Sequence, residues 1–108
     1  RVPFNYFIVP IIEQYYRAGE ANKANKLVTA FFNSTQEDLR YYFSFSGSKA
    51  KSLSYEKRVG IQILGELHRI TDFFKQKDLS AKIEASFQQF YQLYAPEMQN
   101  DYEAQPTE

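Results

Sequence analysis

The amino-acid sequence predicts an all-α fold of two antiparallel helical hairpins, with four to five helices in 108 residues. Apolar side chains recur every three or four residues along nearly the whole chain, which is the period of an amphipathic helix. Turn-forming residues separate these periodic segments from one another. Alternation with the period of a β-strand is limited to residues 41–45. These three features define the fold class.

The first hairpin is predicted over residues 4–45 and begins with a helix of residues 4–18. Pro10 lies inside this helix, where its missing N–H and fixed φ should kink the helix or shift its start toward Pro10. Gly19 is placed to end the helix, because glycine readily adopts the left-handed conformation of a C-terminal cap. The predicted buried stripe consists of Phe4, Phe7, Ile8, Ile11, Ile12 and Tyr15.

The second helix of this hairpin carries an apolar stripe that residues 33–35 interrupt. Ser34 with Glu37 three residues later forms a capping-box pattern, which is typical of a helix start. The stripe resumes afterwards at Leu39, Tyr42 and Phe43. The pattern leaves open whether this segment is one bent helix or two.

A segment rich in serine, glycine and lysine, residues 46–53, is predicted to be a loop. The second hairpin, residues 54–94, follows it, with Ser54 as the N-cap of a helix that runs to about Gln76. This helix carries apolar residues on more than one face, so we expect it to lie at the centre of the fold.

The last helix is predicted to begin with Asp78 as its N-cap and to end at Pro96. Residues 1–95 then form a single helical domain, and residues 96–108 form a flexible acidic tail with four acids and no base. The chain begins at Arg1 without an initiator methionine, which indicates a piece of a longer protein.

The composition describes an ordinary globular domain. Thirteen Lys and Arg balance thirteen Asp and Glu, and a net charge of zero argues against nucleic acid or an anionic membrane surface as the main partner. The absence of cysteine from the sequence excludes disulfides, thiol chemistry and cysteine-ligated zinc. No apolar run approaches the ~20 residues of a membrane-spanning helix.

Residue types that carry catalysis are sparse and scattered. His68 is the only histidine, and one carboxylate at helical spacing, that of Asp72, is too common a pairing to predict a metal site. The other acids lie at ordinary surface spacing, and the sequence contains no glycine-rich phosphate loop. We therefore predict no catalytic residue, no metal ion and no cofactor for this chain.

The densest aromatic cluster is RYYFSF, residues 40–45. Its helical context, the neutral charge and the missing glycine argue against an RNA-stacking strand. Two interpretations remain: core packing with one tyrosine edge at the surface, or a platform for a sugar ring or a peptide. The neighbouring bases fit a solvated loop or a loop that faces lipid headgroups; they are Lys49, Lys51, Lys57 and Arg58. The candidate binding residues are Tyr15, Tyr16, Arg40, Tyr41 and Tyr42.

The order Tyr15, Gly19, Ala24 resembles a tetratricopeptide repeat, in which an aromatic residue precedes the turn glycine and a small residue admits the second helix. The second hairpin lacks the turn glycine. A single repeat cannot bury its own apolar face, so we expect the second hairpin to act as a cap, or further repeats to precede Arg1.

Three strings resemble a region near the C-terminus of large bacterial multi-pass membrane proteins of the protein O-mannosyltransferase-like family. They are PFNYFIVPIIEQYYRAGE at residues 3–20, EDLRYYFS at residues 37–44 and FQQFYQLY at residues 87–94. The strings occur in this order and span most of residues 3–94. No position of this chain corresponds to the catalytic acid of that family.

The resemblance implies a parent protein in the bacterial cytoplasmic membrane, whose membrane helices transfer a lipid-linked sugar to a protein acceptor. This chain would be a soluble, non-catalytic accessory domain on the extracytoplasmic side. Its expected partner is the membrane-embedded domain of its own chain or the acceptor protein. A carbohydrate- or peptide-binding helical module that uses exposed Tyr and Arg side chains is the alternative.

Overall fold

The computed structural model of the chain describes residues 4–104, and it places the side chains of residues 8–98. This part of the chain folds into five α-helices without a β-strand. The all-α prediction is therefore confirmed. The helices are α1 (Phe4–Arg17), α2 (Ala21–Tyr42), α3 (Gly47–Ser52), α4 (Ser54–Phe73) and α5 (Lys77–Ala104).

Helix α4 lies at the centre of the fold and packs against α1, α2, α3 and α5. The central position predicted for this helix is thus confirmed. Two hairpins, α1–α2 and α4–α5, meet along it, and α2 also contacts α5. Each large apolar side chain removed from water in such a core contributes about 1.5–3 kcal/mol. The buried side chains of α4 include Ile61, Leu64, Leu67 and Ile70.

The stripe predicted for helix α1 is confirmed in part. Ile12 is buried, and Ile8 and Tyr15 pack half-buried against the core. Ile11 is exposed instead, and Val9 and Tyr16 are buried. Apolar residues surround most of this helix, so periodicity alone defines several overlapping stripes and does not select the one that meets α2 and α4. Phe4 and Phe7, which complete the predicted stripe, lie outside the residues whose side chains are described.

Helix α2 is one continuous helix through residues 33–35, so Ser34 does not cap a second helix. Four buried residues explain the continuity, because their spacing of three or four residues keeps one stripe unbroken past the polar segment. They are Val28, Phe32, Thr35 and Leu39. A capping box marks the start of a helix. The buried stripe runs unbroken past Ser34, so no helix starts there.

The turns after α1 and α4 have the same backbone geometry. Gly19 has φ +79°, and the N–H of Glu20 donates to the carbonyl oxygen of Tyr15 at 2.9 Å. This 6→1 bond defines a Schellman turn, and it confirms that Gly19 ends the first helix. After α4, Lys75 has φ 63°, although a non-glycine residue there is disfavoured.

Several predicted boundaries are wrong. The segment 46–53, predicted as a loop, contains α3, which has no buried residue and hence no apolar stripe that could reveal it. Ser54 is the first residue of α4 rather than its N-cap, and α4 ends at Phe73 instead of about Gln76. Asp78 lies in the first turn of α5 instead of capping it.

The last helix continues through Pro96 to Ala104, so its predicted end at Pro96 is wrong and residues 96–104 of the predicted tail are helical. Proline removes one helical hydrogen bond at a cost of about 3 kcal/mol. Contacts on both sides of the proline offset this cost: Tyr94 is buried in the core, and Glu97 pairs with Lys57. The rest of the predicted tail, residues 105–108, lies outside the described residues.

Candidate functional site

The five candidate binding residues form two groups that the fold keeps apart. Tyr15 and Tyr16 lie in the last turn of α1, and Tyr16 contacts Asn25 near the start of α2. Tyr41 lies sixteen residues further along α2, which corresponds to ~24 Å at 1.5 Å per residue. The five residues therefore do not form one site.

Tyr16 is part of the core. Its side chain is 7% exposed, its ring stacks on Phe74 at 4.9 Å, and its hydroxyl donates to Oδ1 of Asn25 at 2.6 Å. Burial raises the pKa of the Tyr16 hydroxyl to about 12. Asn25 in turn donates from Nδ2 to Oε1 of Gln76 at 2.9 Å. This chain of hydrogen bonds joins α1 and α2 to the turn between α4 and α5, so the Tyr16 hydroxyl is used within the fold.

Tyr15 is half-buried at the edge of the same region. The ammonium of Lys23 lies 6.0 Å from the centre of its ring, at the outer limit of a cation–π contact. The carboxylate of Glu20 also holds this ammonium, at 2.9 Å. Tyr15 is thus less exposed than Tyr41, at the other end of α2.

The second group belongs to a surface that we call the basic–aromatic corner, residues 40–58, which comprises the end of α2, α3 and the start of α4. Tyr41 is 60% exposed. Its ring makes edge contacts with Tyr42 at 6.0 Å and with Phe45 at 5.1 Å. These two neighbours limit the orientations of the Tyr41 ring while leaving much of it open to solvent.

Positive charge accompanies the aromatic rings of the basic–aromatic corner. Residues 40–58 contain five bases and one acid. The Lys49 ammonium lies 5.5 Å from the ring centre of Phe45. The Arg58 guanidinium lies 5.6 Å from the ring centre of Tyr55, which is itself 58% exposed. Rings and cations therefore alternate over this end of the bundle.

One base of this corner differs from the others and was not expected. Lys57, interpreted from the sequence as part of a solvated loop, has a side chain that is only 1% exposed. Its ammonium donates to both carboxylate oxygens of Glu97, at 2.9 and 3.0 Å. A signal was present in the sequence, because Lys57 lies three, four and seven residues before Gly60, Ile61 and Leu64 on the buried stripe of α4.

The acids and the histidine show ordinary surface contacts. His68 Nε2 lies 3.8 Å from Oε1 of Glu84, and Arg17 and Arg69 pair with Glu13 and Glu66 on their own helices. Within the described residues, no three His, Cys, Asp or Glu side chains are grouped so that they could hold a metal ion. None of the helices in this part of the chain has both the length and the apolar character needed to cross a membrane.

No known protein family matches this chain, and comparisons with curated proteins and with solved structures give no match either.

Proposed function

We propose that this chain is a non-catalytic interaction domain that binds acidic polypeptide segments through the basic–aromatic corner. The observation that carries this proposal is the exposure of Tyr41, 60%, in a ring cluster that restrains it. A restrained aromatic side chain offers a large contact area at a small cost in conformational entropy. Tyrosine and arginine are also the residues that most often dominate binding energy at interfaces.

The charge of the corner selects the partner. Apart from Lys57, which Glu97 neutralises, residues 40–58 carry four exposed bases against one half-buried acid. They create a local positive potential in a chain whose net charge is zero. Such a surface attracts acidic segments, accelerates their association and disfavours basic ones. The guanidinium of Arg58 and the ammonium of Lys49 each lie beside an aromatic ring. At either place, a partner segment can contact the cation and the ring together.

The resemblance described above supports a narrower form of this proposal. The chain is an accessory domain of a membrane-embedded glycosyltransferase that moves sugar from a lipid carrier to a protein acceptor. The α1–α2 hairpin is then a tetratricopeptide-like unit that the α4–α5 hairpin covers. The domain lies on the extracytoplasmic side, and its partner is the acceptor polypeptide or the membrane-embedded part of its own chain.

A carbohydrate-binding module is the second candidate. The exposed ring of Tyr41 favours it, because a sugar ring can stack on an open aromatic face while the neighbouring Arg40 donates hydrogen bonds to hydroxyl groups. Binding of neutral oligosaccharides on a glycan array, lost in the Tyr41→Ala variant, would support this candidate. Peptide binding without glycan binding would exclude it.

The proposal is tested by NMR titration with two unstructured peptides of equal length, one rich in glutamate and one rich in lysine. We expect the glutamate-rich peptide alone to shift the amide signals of residues 40–58. Its affinity should fall as salt is added, because screening weakens exposed charges. Shifts spread evenly over the molecule, or equal shifts from both peptides, would reject the proposal.

A matched pair of variants isolates the contribution of Tyr41. Tyr41→Ala should weaken peptide binding about tenfold or more, the loss typical of an interface residue that contributes at least ~1.4 kcal/mol. Tyr91→Ala serves as the control, since Tyr91 is also an exposed tyrosine, on α5 outside the corner. Equal losses in the two variants would contradict the assigned surface. Circular dichroism checks that both remain helical.

A further inference from the structure

The ammonium of Lys57 forms a complete binding site for a carboxylate. It donates to the carbonyl oxygen of Ala50 at 3.2 Å and to the two carboxylate oxygens of Glu97 at 2.9 and 3.0 Å. The ring centre of Phe43 lies 4.7 Å away. Because an ammonium has three donors, this arrangement uses all of them. Two of the three are directed at a single carboxylate.

The cation and the anion of this pair are held very differently. The side chain of Lys57, on α4, is buried against α3 and Phe43, with 1% exposed, whereas the Glu97 side chain is 35% exposed. A buried ammonium without a partner is strongly unfavourable, so the site requires an anion. The anion itself can be reached from solvent.

The segment that carries Glu97 begins at a weak point of α5. Pro96 directly precedes it and cannot donate the helical hydrogen bond to the carbonyl oxygen of residue 92. The last turn of α5 contains no base, so the dipole at this helix end lacks the stabilisation that a cation provides. Residues 97–104 are thus joined to the rest of α5 at a position where the helix lacks one bond.

We propose that the Lys57 ammonium is a carboxylate-binding site, which Glu97 fills within the chain and which a carboxylate of an acidic partner enters when residues 97–104 detach at Pro96. This inference rests on the proposed function for the identity of the partner. The site lies inside the basic–aromatic corner, since Phe43, Ala50 and Lys57 all belong to residues 40–58. Glu97 is then an internal competitor of the partner.

The carboxylate site is tested first without any partner. In the Glu97→Ala variant, sodium acetate should shift the NMR signals of Lys57 and its neighbours in a saturable manner, and sodium chloride at the same ionic strength should not. The same titration should have little effect on the unsubstituted chain, whose site is filled. It should have none on the double variant Lys57→Met/Glu97→Ala, in which the cation is also removed.

A second arm measures the glutamate-rich peptide. We expect Glu97→Ala to bind it roughly tenfold more tightly, as follows if Glu97 leaves Lys57 free about one-tenth of the time. Glu84→Gln is the control, because Glu84 is an exposed acid on the same helix and should leave the affinity unchanged. Circular dichroism confirms that each variant is folded.

The outcomes separate this inference from the proposed function. An acetate response in Glu97→Ala, with no peptide binding by any variant, would support the carboxylate site and reject the acidic peptide as partner. Peptide binding of equal strength with and without Glu97 would keep the proposed function and overturn the inference. A folded Glu97→Ala variant that ignores acetate would also overturn it.

Discussion

Gly60 of α4 and Leu39 of α2 approach each other so closely that a Cβ atom built on Gly60 would lie 2.7 Å from Cδ2 of Leu39 and 2.9 Å from its Cγ. Leu39 is fully buried, so it has little room to move away. The absence of a side chain at Gly60 therefore sets the distance between the two helices. This contact joins the two hairpins at the centre of the fold.

Gly60→Ala should destabilise the protein relative to Gly65→Ala, a matched change in the same helix. Both substitutions gain ~1 kcal/mol of helix propensity. Overpacking against Leu39 should cost Gly60→Ala about 1–3 kcal/mol, whereas a Cβ on Gly65 would meet only the ring of Phe87, with Cε1 at 3.3 Å and Cδ1 at 3.8 Å. Phe87 is half-buried and can shift. Urea unfolding gives both free energies, and equal values for the two variants would contradict this account.

Lys75→Gly should stabilise the protein by about 1 kcal/mol. Lys75 has φ 63°, a left-handed conformation that is costly for residues with a Cβ and free for glycine. The lysine side chain is exposed, so little packing is lost. The reciprocal control is Gly19→Ala at the equivalent turn after α1, where φ is +79° and a Cβ would meet no atom within 4 Å. That variant should lose about as much stability as Lys75→Gly gains.

The predictions from sequence succeeded where a local pattern decides the structure. Helical periodicity and the turn glycine at position 19 defined the fold class and the first hairpin, because both act over a few residues. The predictions from sequence failed at Pro96, because contacts between α5 and other helices offset the helical hydrogen bond that proline removes. At α3 they failed because a six-residue helix with no buried side chain leaves no pattern.

In the candidate site, too, the sequence did not reveal what contacts from other helices decide. Tyr41 was one of five candidate binding residues, and it is exposed. Tyr16 was grouped with it, yet its hydroxyl is bonded to Asn25. Lys57 was interpreted as solvated, although it is buried and its ammonium donates to Glu97, forty residues away. Both partners lie on another helix, Asn25 nine and Glu97 forty residues away, so a pattern of residue types on one helix cannot identify them.

The raised pKa of Tyr16 should make stability depend on pH in the alkaline range. Below pH 10 the hydroxyl keeps its proton in both states. From the unfolded value of 10.0 to the folded value of about 12, the unfolded chain loses the proton while the folded chain retains it. The free energy of unfolding should therefore fall as the pH rises through this range.

The Tyr16→Phe variant isolates this effect from the titration of other groups. It should lose about 1 kcal/mol at neutral pH, because Asn25 loses a hydrogen bond. Its stability should then fall less steeply than that of the unsubstituted chain between pH 10 and 12. Chemical unfolding at several pH values measures both slopes, and parallel curves would show that Tyr16 does not retain its proton.

The packing of α1 against α2 gives a last prediction. Ala24 is fully buried one turn into α2, where a larger side chain would have to displace the core. Ala24→Leu should therefore cost about 1–3 kcal/mol through overpacking. Ala30→Leu on the exposed side of the same helix should change stability by less than about 0.5 kcal/mol. The melting temperatures of the two variants test this prediction. Equal melting temperatures would mean that the small size of Ala24 is not needed where α1 packs against α2.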